Sequence, residues 1–198
     1  MRALSWTSAS PAEVSNALAH EALREKIAWL CHLTRAVAAG WAIWMLITVV
    51  RVWSDPAKIT RMLGSYLNAD LGAVTSWQIA LGFMTQIAAW IPGAAISYCV
   101  WRLFGGYLHG RIFTADAATW VERVGIAGLT TVAVGIVARR LEWLILTSHS
   151  DLSLSTRLLT QFLVPGDLLG VLFSLFVLAV GHVFKTAVEI ADDNAGIV

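Results

Sequence analysis

The sequence predicts an all-α fold: an integral membrane four-helix bundle with short interfacial helices in the two outer loops. Three observations predict it. Residues 71–101 carry no Asp, Glu, Lys or Arg, and a hydrocarbon core of about 30 Å needs roughly 20 mostly apolar residues in a helix. Hydrophobic residues make up 58% of the 198-residue chain and charged residues 14%, where soluble domains average about 45–50% and 25%; mean hydropathy is +0.69. The ten Trp residues suit membrane interfaces, where one end of the ring is apolar and the other wet.

Residues 1–27 form a polar, mixed-charge leader. Met1 to Ala9 read as unstructured, and Ser10-Pro11-Ala12-Glu13 then reads as a helix start, with Ser10 as N-cap, Pro11 at the first helical position and Glu13 placed for a capping box. The stretch to Lys26 either lies along the membrane or extends the first span. The first long apolar run begins near Ile27, behind that leader, which is not the layout of a cleavable signal peptide.

The transmembrane domain is expected over 28–188, with spans at 28–52, 77–104, 121–147 and 168–188. In the first, Arg35 and Arg51 bracket a charge-free centre and can snorkel to the two headgroup layers, with Trp29 and Trp53 near its ends. Asp55-Pro56 restarts a helix. Ile59, Met62, Leu63, Tyr66 and Leu67 follow at helical spacing, with Lys58 and Arg61 off that stripe, which predicts an amphipathic interfacial helix. Gly64 weakens that helix by about 1 kcal/mol.

The second span contains Pro92, which should kink it. A polar turn is expected over 105–111, followed by Thr114 as N-cap and Asp116 in the first turn of the third span. Leu154, Leu158, Leu159 and Phe162 predict a second interfacial helix in the loop 148–167. Pro165-Gly166-Asp167 starts the last span, and the acidic tail 189–198 is expected to be mobile. Gly170, Ser174 and Gly181 on the last span, and Ala127, Thr131 and Gly135 on the third, are small residues that let helix backbones approach in lipid.

Four spans put the first and last segments on one side of the membrane. With that side cytoplasmic, Arg2, Arg24, Lys26, Arg35, Arg102, Arg111, Arg123 and Lys185 lie inside, and Arg51, Lys58, Arg61, Arg139, Arg140 and Arg157 outside. This is a slight positive-inside bias.

Two stretches resemble a known family. Residues 107–114, Tyr-Leu-His-Gly-Arg-Ile-Phe-Thr, followed by a helix, resemble the turn-to-helix motif G-x-[IV]-F-[ST] of the YoaS-like proteins, small four-span bacterial membrane proteins of unknown function. The apolar run from Leu172 to Phe184 and the ending from Asp192 through Asn194 to Val198 are similar to that family's ending. The resemblance covers 105–198 by motif and the first half by hydropathy. It implies an integral inner-membrane protein without assigned activity, in a family often encoded beside a small helix-turn-helix regulator, and it carries over no catalytic residue.

Three sets of residues are candidates for chemistry. His32 and His182 fall toward the same membrane face, where facing imidazoles can hold haem or a metal; the plain alternative is two interfacial, hydrogen-bonded histidines. Arg139, Arg140 and Glu142, with Asp167 opening the last span on the same side, form a candidate ion cluster. Glu142 can pair with Arg139 along the helix and Asp167 with the other Arg; the alternative is headgroup snorkelling. Gln78, Thr85 and Gln86 either line a polar path or hydrogen-bond between helices.

Cys31 and Cys99 form no CxxC pair, so no zinc site is expected. No metal or other cofactor is assigned. The net charge of +1 argues against direct nucleic-acid binding. GxSxG, HExxH and phosphate-loop motifs are missing, and Ser148-His149-Ser150-Asp151 is too local for a triad.

The leading expectation is a non-enzymatic regulatory or accessory protein of the bacterial inner membrane. Its partner is the lipid bilayer, together with a cytoplasmic regulatory protein contacted through His109, Arg111, Asp192 and Asp193. The alternatives are a channel or transporter subunit acting as a homo-oligomer, and a haem- or metal-binding protein resting on His32 and His182.

Overall fold

The computed structural model describes residues 11–67, 74–148 and 164–195. The first residues, the second loop helix and most of the Ser-His-Ser-Asp stretch lie outside these. Five helices are described: α1 (Pro11–Trp53), α2 (Pro56–Leu67), α3 (Ser76–Leu108), α4 (Ala115–Leu146) and α5 (Pro165–Ala195). Four are long and apolar enough to cross a membrane, so the expected four-helix membrane bundle is the fold.

Local chemistry sets the helix ends. Asp55 Oδ1 accepts the Lys58 amide at 3.1 Å, and Thr114 Oγ1 accepts that of Ala117 at 3.2 Å, satisfying amides that have no partner within their helix. α3 runs on past its expected end at Phe104, through Gly105 and Gly106. It stops at a Schellman cap, in which Gly110 takes φ +78°. There the Arg111 amide reaches Gly106 O at 3.1 Å and the Gly110 amide Tyr107 O at 3.0 Å. Only a residue tolerant of positive φ closes that cap without strain. The connection to α4 is therefore shorter than the expected turn 105–111.

α1 is one continuous helix from Pro11, so the leader extends the first span. The polar tail, expected to leave the helix after Val188, stays helical to Ala195.

The spans pack in chain order: α1 on α3, α3 on α4 and α4 on α5. Each outer span, α1 and α5, thus has one spanning neighbour among the described residues. In lipid the apolar faces gain little from one another, so close approach decides which faces meet.

The α1–α3 contact is built from indole rings set into glycine notches. A Cβ on Gly82 would overlap the Trp53 ring, and one on Gly93 would lie 3.1 Å from Trp41. Trp90 Nε1 donates to Ala42 O at 3.1 Å beside them. Trp53, expected in an interfacial belt, is half-buried in this joint; Trp29 is the exposed ring.

The α4–α5 contact uses glycine on both sides. A Cβ on Gly125 would lie 2.8 Å from the Leu178 amide, one on Gly181 would lie 2.8 Å from the Glu122 amide, and Gly128 faces Ser174. Gly170, Ser174 and Gly181 thus lie at the seam. On α4 the seam glycines are Gly125 and Gly128 rather than the expected Gly135, which meets only Arg139 of its own helix.

This register aligns the charges of separate helices in two bands. Arg35, Arg102, Glu122 and Arg123 lie at the end carrying the α3–α4 turn, here the turn end. Arg51, Arg139, Arg140, Glu142 and Asp167 lie at the other, the α2 end. The charge-free segments between them are 36–50 on α1 and 124–138 on α4, about 22 Å of helix at 1.5 Å per residue.

Gly125→Val should push α5 off α4 and lower stability by about 1–3 kcal/mol. Gly40→Ala, where nothing lies within 4 Å of the new Cβ, should cause no loss. Thermal unfolding of both variants in one detergent checks the pair.

Candidate functional site

The α2 end holds two fully buried polar side chains, Gln78 and Thr147. Gln78 is 0% exposed. Its Oε1 accepts the Thr75 amide at 2.9 Å and the Thr75 hydroxyl at 2.7 Å, while Nε2 donates to Ile145 O and Ser148 Oγ, both at 2.9 Å. One side chain thereby caps the start of α3 and joins it to the end of α4. Trp53, Ile59, Val74, Ile79, Trp143 and Leu146 pack beside it. Ile59 brings α2 down onto the span ends.

The expected ion cluster divides into two contacts. Arg139 Nη2 bonds Asp167 Oδ2 at 2.5 Å, and the same carboxylate accepts the Val164 amide at 3.0 Å. Asp167 therefore caps α5 and ties it to α4. Glu142, expected to pair with Arg139 along the helix, instead faces the side-chain amide of Gln86 on α3, whose NH2 group donates to it once the amide is oriented to suit that carboxylate. The i,i+3 alternative loses because Arg139 turns to the carboxylate on α5. Arg140 follows on the next position of α4, half-buried, and its link to Asp167 is taken by Arg139.

Of the three polar residues on the second span, Gln78 and Gln86 bond across to α4, and Thr85 bonds back to Leu81 O at 2.9 Å. Within the belt Thr130, Thr131 and Ser174 also bond carbonyls of their own helices. These polar groups fasten helices together or fold back on the backbone.

At the turn end His32 and His182 stay apart. Both are exposed, on α1 and α5, which do not pack on each other. His182 Nδ1 lies 3.5 Å from Glu122 Oε1 on α4. The haem pairing is therefore not assembled within one copy. Cys31 and Cys99 are free and buried. Among the described residues no three His, Cys, Asp or Glu side chains converge.

Arg111 and His109 are exposed on the turn, and His109 Nδ1 contacts Gly105 O at 2.7 Å. Phe113 is 80% exposed and sits edge-on to Phe184 of α5, centroids 6.0 Å apart. Asp193 is exposed near the end of α5; the side chain of Asp192 lies outside the described residues.

A stacked array was not anticipated. The Arg35 guanidinium lies 4.0 Å from the Trp101 ring centroid. Arg102 and Arg123 lie 5.4 and 4.4 Å from that of Trp120, and Tyr98 meets Trp120 edge-on at 6.0 Å. The i,i+3 spacing of Trp120 and Arg123 was readable in the sequence. The contacts between helices were not, since they depend on the register.

Asp167→Asn should cost about 1–3 kcal/mol, because Asp167 is buried and Arg139 only partly so. The R139D/D167R exchange should restore part of that loss. Unfolding temperatures of the four members of the double-mutant cycle check the coupling. Gln78→Leu should cost about 1–3 kcal/mol through the buried partners it leaves unpaired.

No curated protein and no solved structure matches the chain. The family model described as protein of unknown function (DUF2975) matches residues 11–198, and the chain therefore belongs to that family.

Proposed function

We propose that the protein is a non-enzymatic regulatory or accessory protein of a bacterial inner membrane that docks a protein partner at its turn end, with that end in the cytoplasm. One observation carries the reading. Phe113 is 80% exposed on a turn closed by the Gly110 cap and in edge-on contact with Phe184, with His109 and Arg111 exposed beside it. An exposed aromatic next to a cation, already ordered, is the composition of an interface anchor and needs little further ordering on binding.

The shape of this end supports the same reading. α1 begins 17 residues before its span, about 25 Å of helix, and α5 continues to Ala195. Both helices extend the surface available to a partner beyond the headgroups. The acidic end of α5, with Asp193 exposed, supplies charge opposite to that of Arg111. The slight excess of Lys and Arg supports the cytoplasmic placement. The resemblance to the YoaS-like proteins supports a regulatory role.

The test is a photo-crosslinking amino acid placed at Phe113 in native membranes, with Lys58 as control on the opposite end. The expected result is one protein adduct at position 113, absent at 58 and lost when 189–198 is deleted. Adducts to lipid alone at 113 would overturn the reading. An adduct to a second copy of the chain would favour the homo-oligomeric channel or transporter.

A further inference from the structure

Three arginines flank one exposed face of α3 at the turn end. Tyr98, Trp101 and Arg102 lie within an arc of about 100° on that helix. Arg35 comes onto it from α1, over Trp101, and Arg123 from α4, over Trp120 beside Arg102. Among the described residues none of the three arginines makes an ion pair. Arg35 Nε is buried without a hydrogen-bond partner. The nearest carboxylate in sequence, Glu122, faces His182 on α5. Three guanidiniums held by indole faces with no anion among them leave strong donors unused.

The same face continues toward the belt as an apolar track. Trp77, Leu81, Met84, Ala88, Ile91, Ala95 and Tyr98 are all exposed and recur every three or four residues, so they share one side of α3. The two alanines make the track shallowest where acyl chains would lie beneath a headgroup. The positive end and the apolar track are continuous on one helix.

We propose that this face of α3 is a binding site for an anionic phospholipid. Arg35, Arg102 and Arg123 hold the phosphate, and the acyl chains run along the Ala88–Ala95 track. The stacked indoles orient the guanidinium forks before the lipid arrives, which favours phosphate over a zwitterionic headgroup whose own cation meets three like charges. A free phosphate would use the arginines alone and gain nothing from the track.

The test is native mass spectrometry of the full chain with equimolar phosphatidylglycerol and phosphatidylcholine of the same acyl chains. Wild type should retain phosphatidylglycerol in preference by more than about tenfold, taking roughly a fivefold effect per arginine at a membrane surface. R102Q/R123Q should reduce the preference about 25-fold, to the roughly fivefold that one remaining arginine supplies. R51Q/R61Q, at the other end, should leave it intact. R35Q, which spares the α3–α4 contact, should lower it about fivefold and keeps the test valid if the double variant fails to fold. Equal retention of both lipids by wild type, or a preference undiminished by R102Q/R123Q and R35Q, would overturn the proposal. Displacement of the bound lipid by millimolar inorganic phosphate would overturn it in favour of a small-anion site.

Discussion

Helix backbones in a bilayer meet where nothing stands between them, and the rest of this structure depends on that constraint. Lipid tails are as apolar as leucine, so burial alone selects no partner face. Selection falls to glycine. Gly125, Gly128 and Gly181 bring α5 against α4, and Gly82 and Gly93 receive two tryptophan rings from α1. Each seam has contacts at more than one height, so each fixes a register as well as a distance. Once the registers are fixed, the positions of all charged groups relative to one another follow.

The two bands arise in this way. No single helix encodes them as bands. Arg139 finds Asp167 because the glycine seam aligns α5 some way below the end of α4. Gln86 finds Glu142 because Gln78 pins the start of α3 to the last turn of α4. The polar contacts at the α2 end cross helix boundaries and act as fasteners. At the turn end the cations meet aromatic faces instead, and an exposed Phe and a tightly capped turn lie beyond them. The two ends therefore differ in chemical character, one closed by carboxylate and amide partners and the other open to solvent and lipid.

Spans, several caps and the start of α2 were legible in the sequence because each rests on neighbours within a few residues. Pro56 after Asp55 and Thr114 before Asp116 mark their helix starts locally, and Ile59 lies on a stripe readable by period alone. The end of α3 was misplaced because Gly105-Gly106 reads as a turn, whereas the left-handed residue that closes the helix is Gly110. Which side chains meet was legible only where they share a helix. The Arg139–Glu142 pairing obeyed that local rule and lost to a carboxylate 28 positions along the chain. His32 and His182 were placed correctly by height and not by neighbourhood, since topology gives depth but not which spans touch. The role of Trp53 was misread for the same reason: position marked it as a belt residue, and only its opposite glycine explains its burial.

The spacing of the bands bears on the membrane around the protein. On α1 and α4 the charge-free stretch of about 22 Å is shorter than the roughly 30 Å of an ordinary hydrocarbon core, whereas α3 carries no charge from Ser76 to Trp101. The arginines at the two ends can snorkel outward across that difference, and whatever they leave is met by the lipids at a cost of fractions of a kcal/mol for each ångström of mismatch. Around the circumference of the helices that cost accumulates. In a bilayer of mixed composition that difference would gather the shorter chains beside α1 and α4, so the lipid shell around the protein would be uneven in thickness rather than uniform.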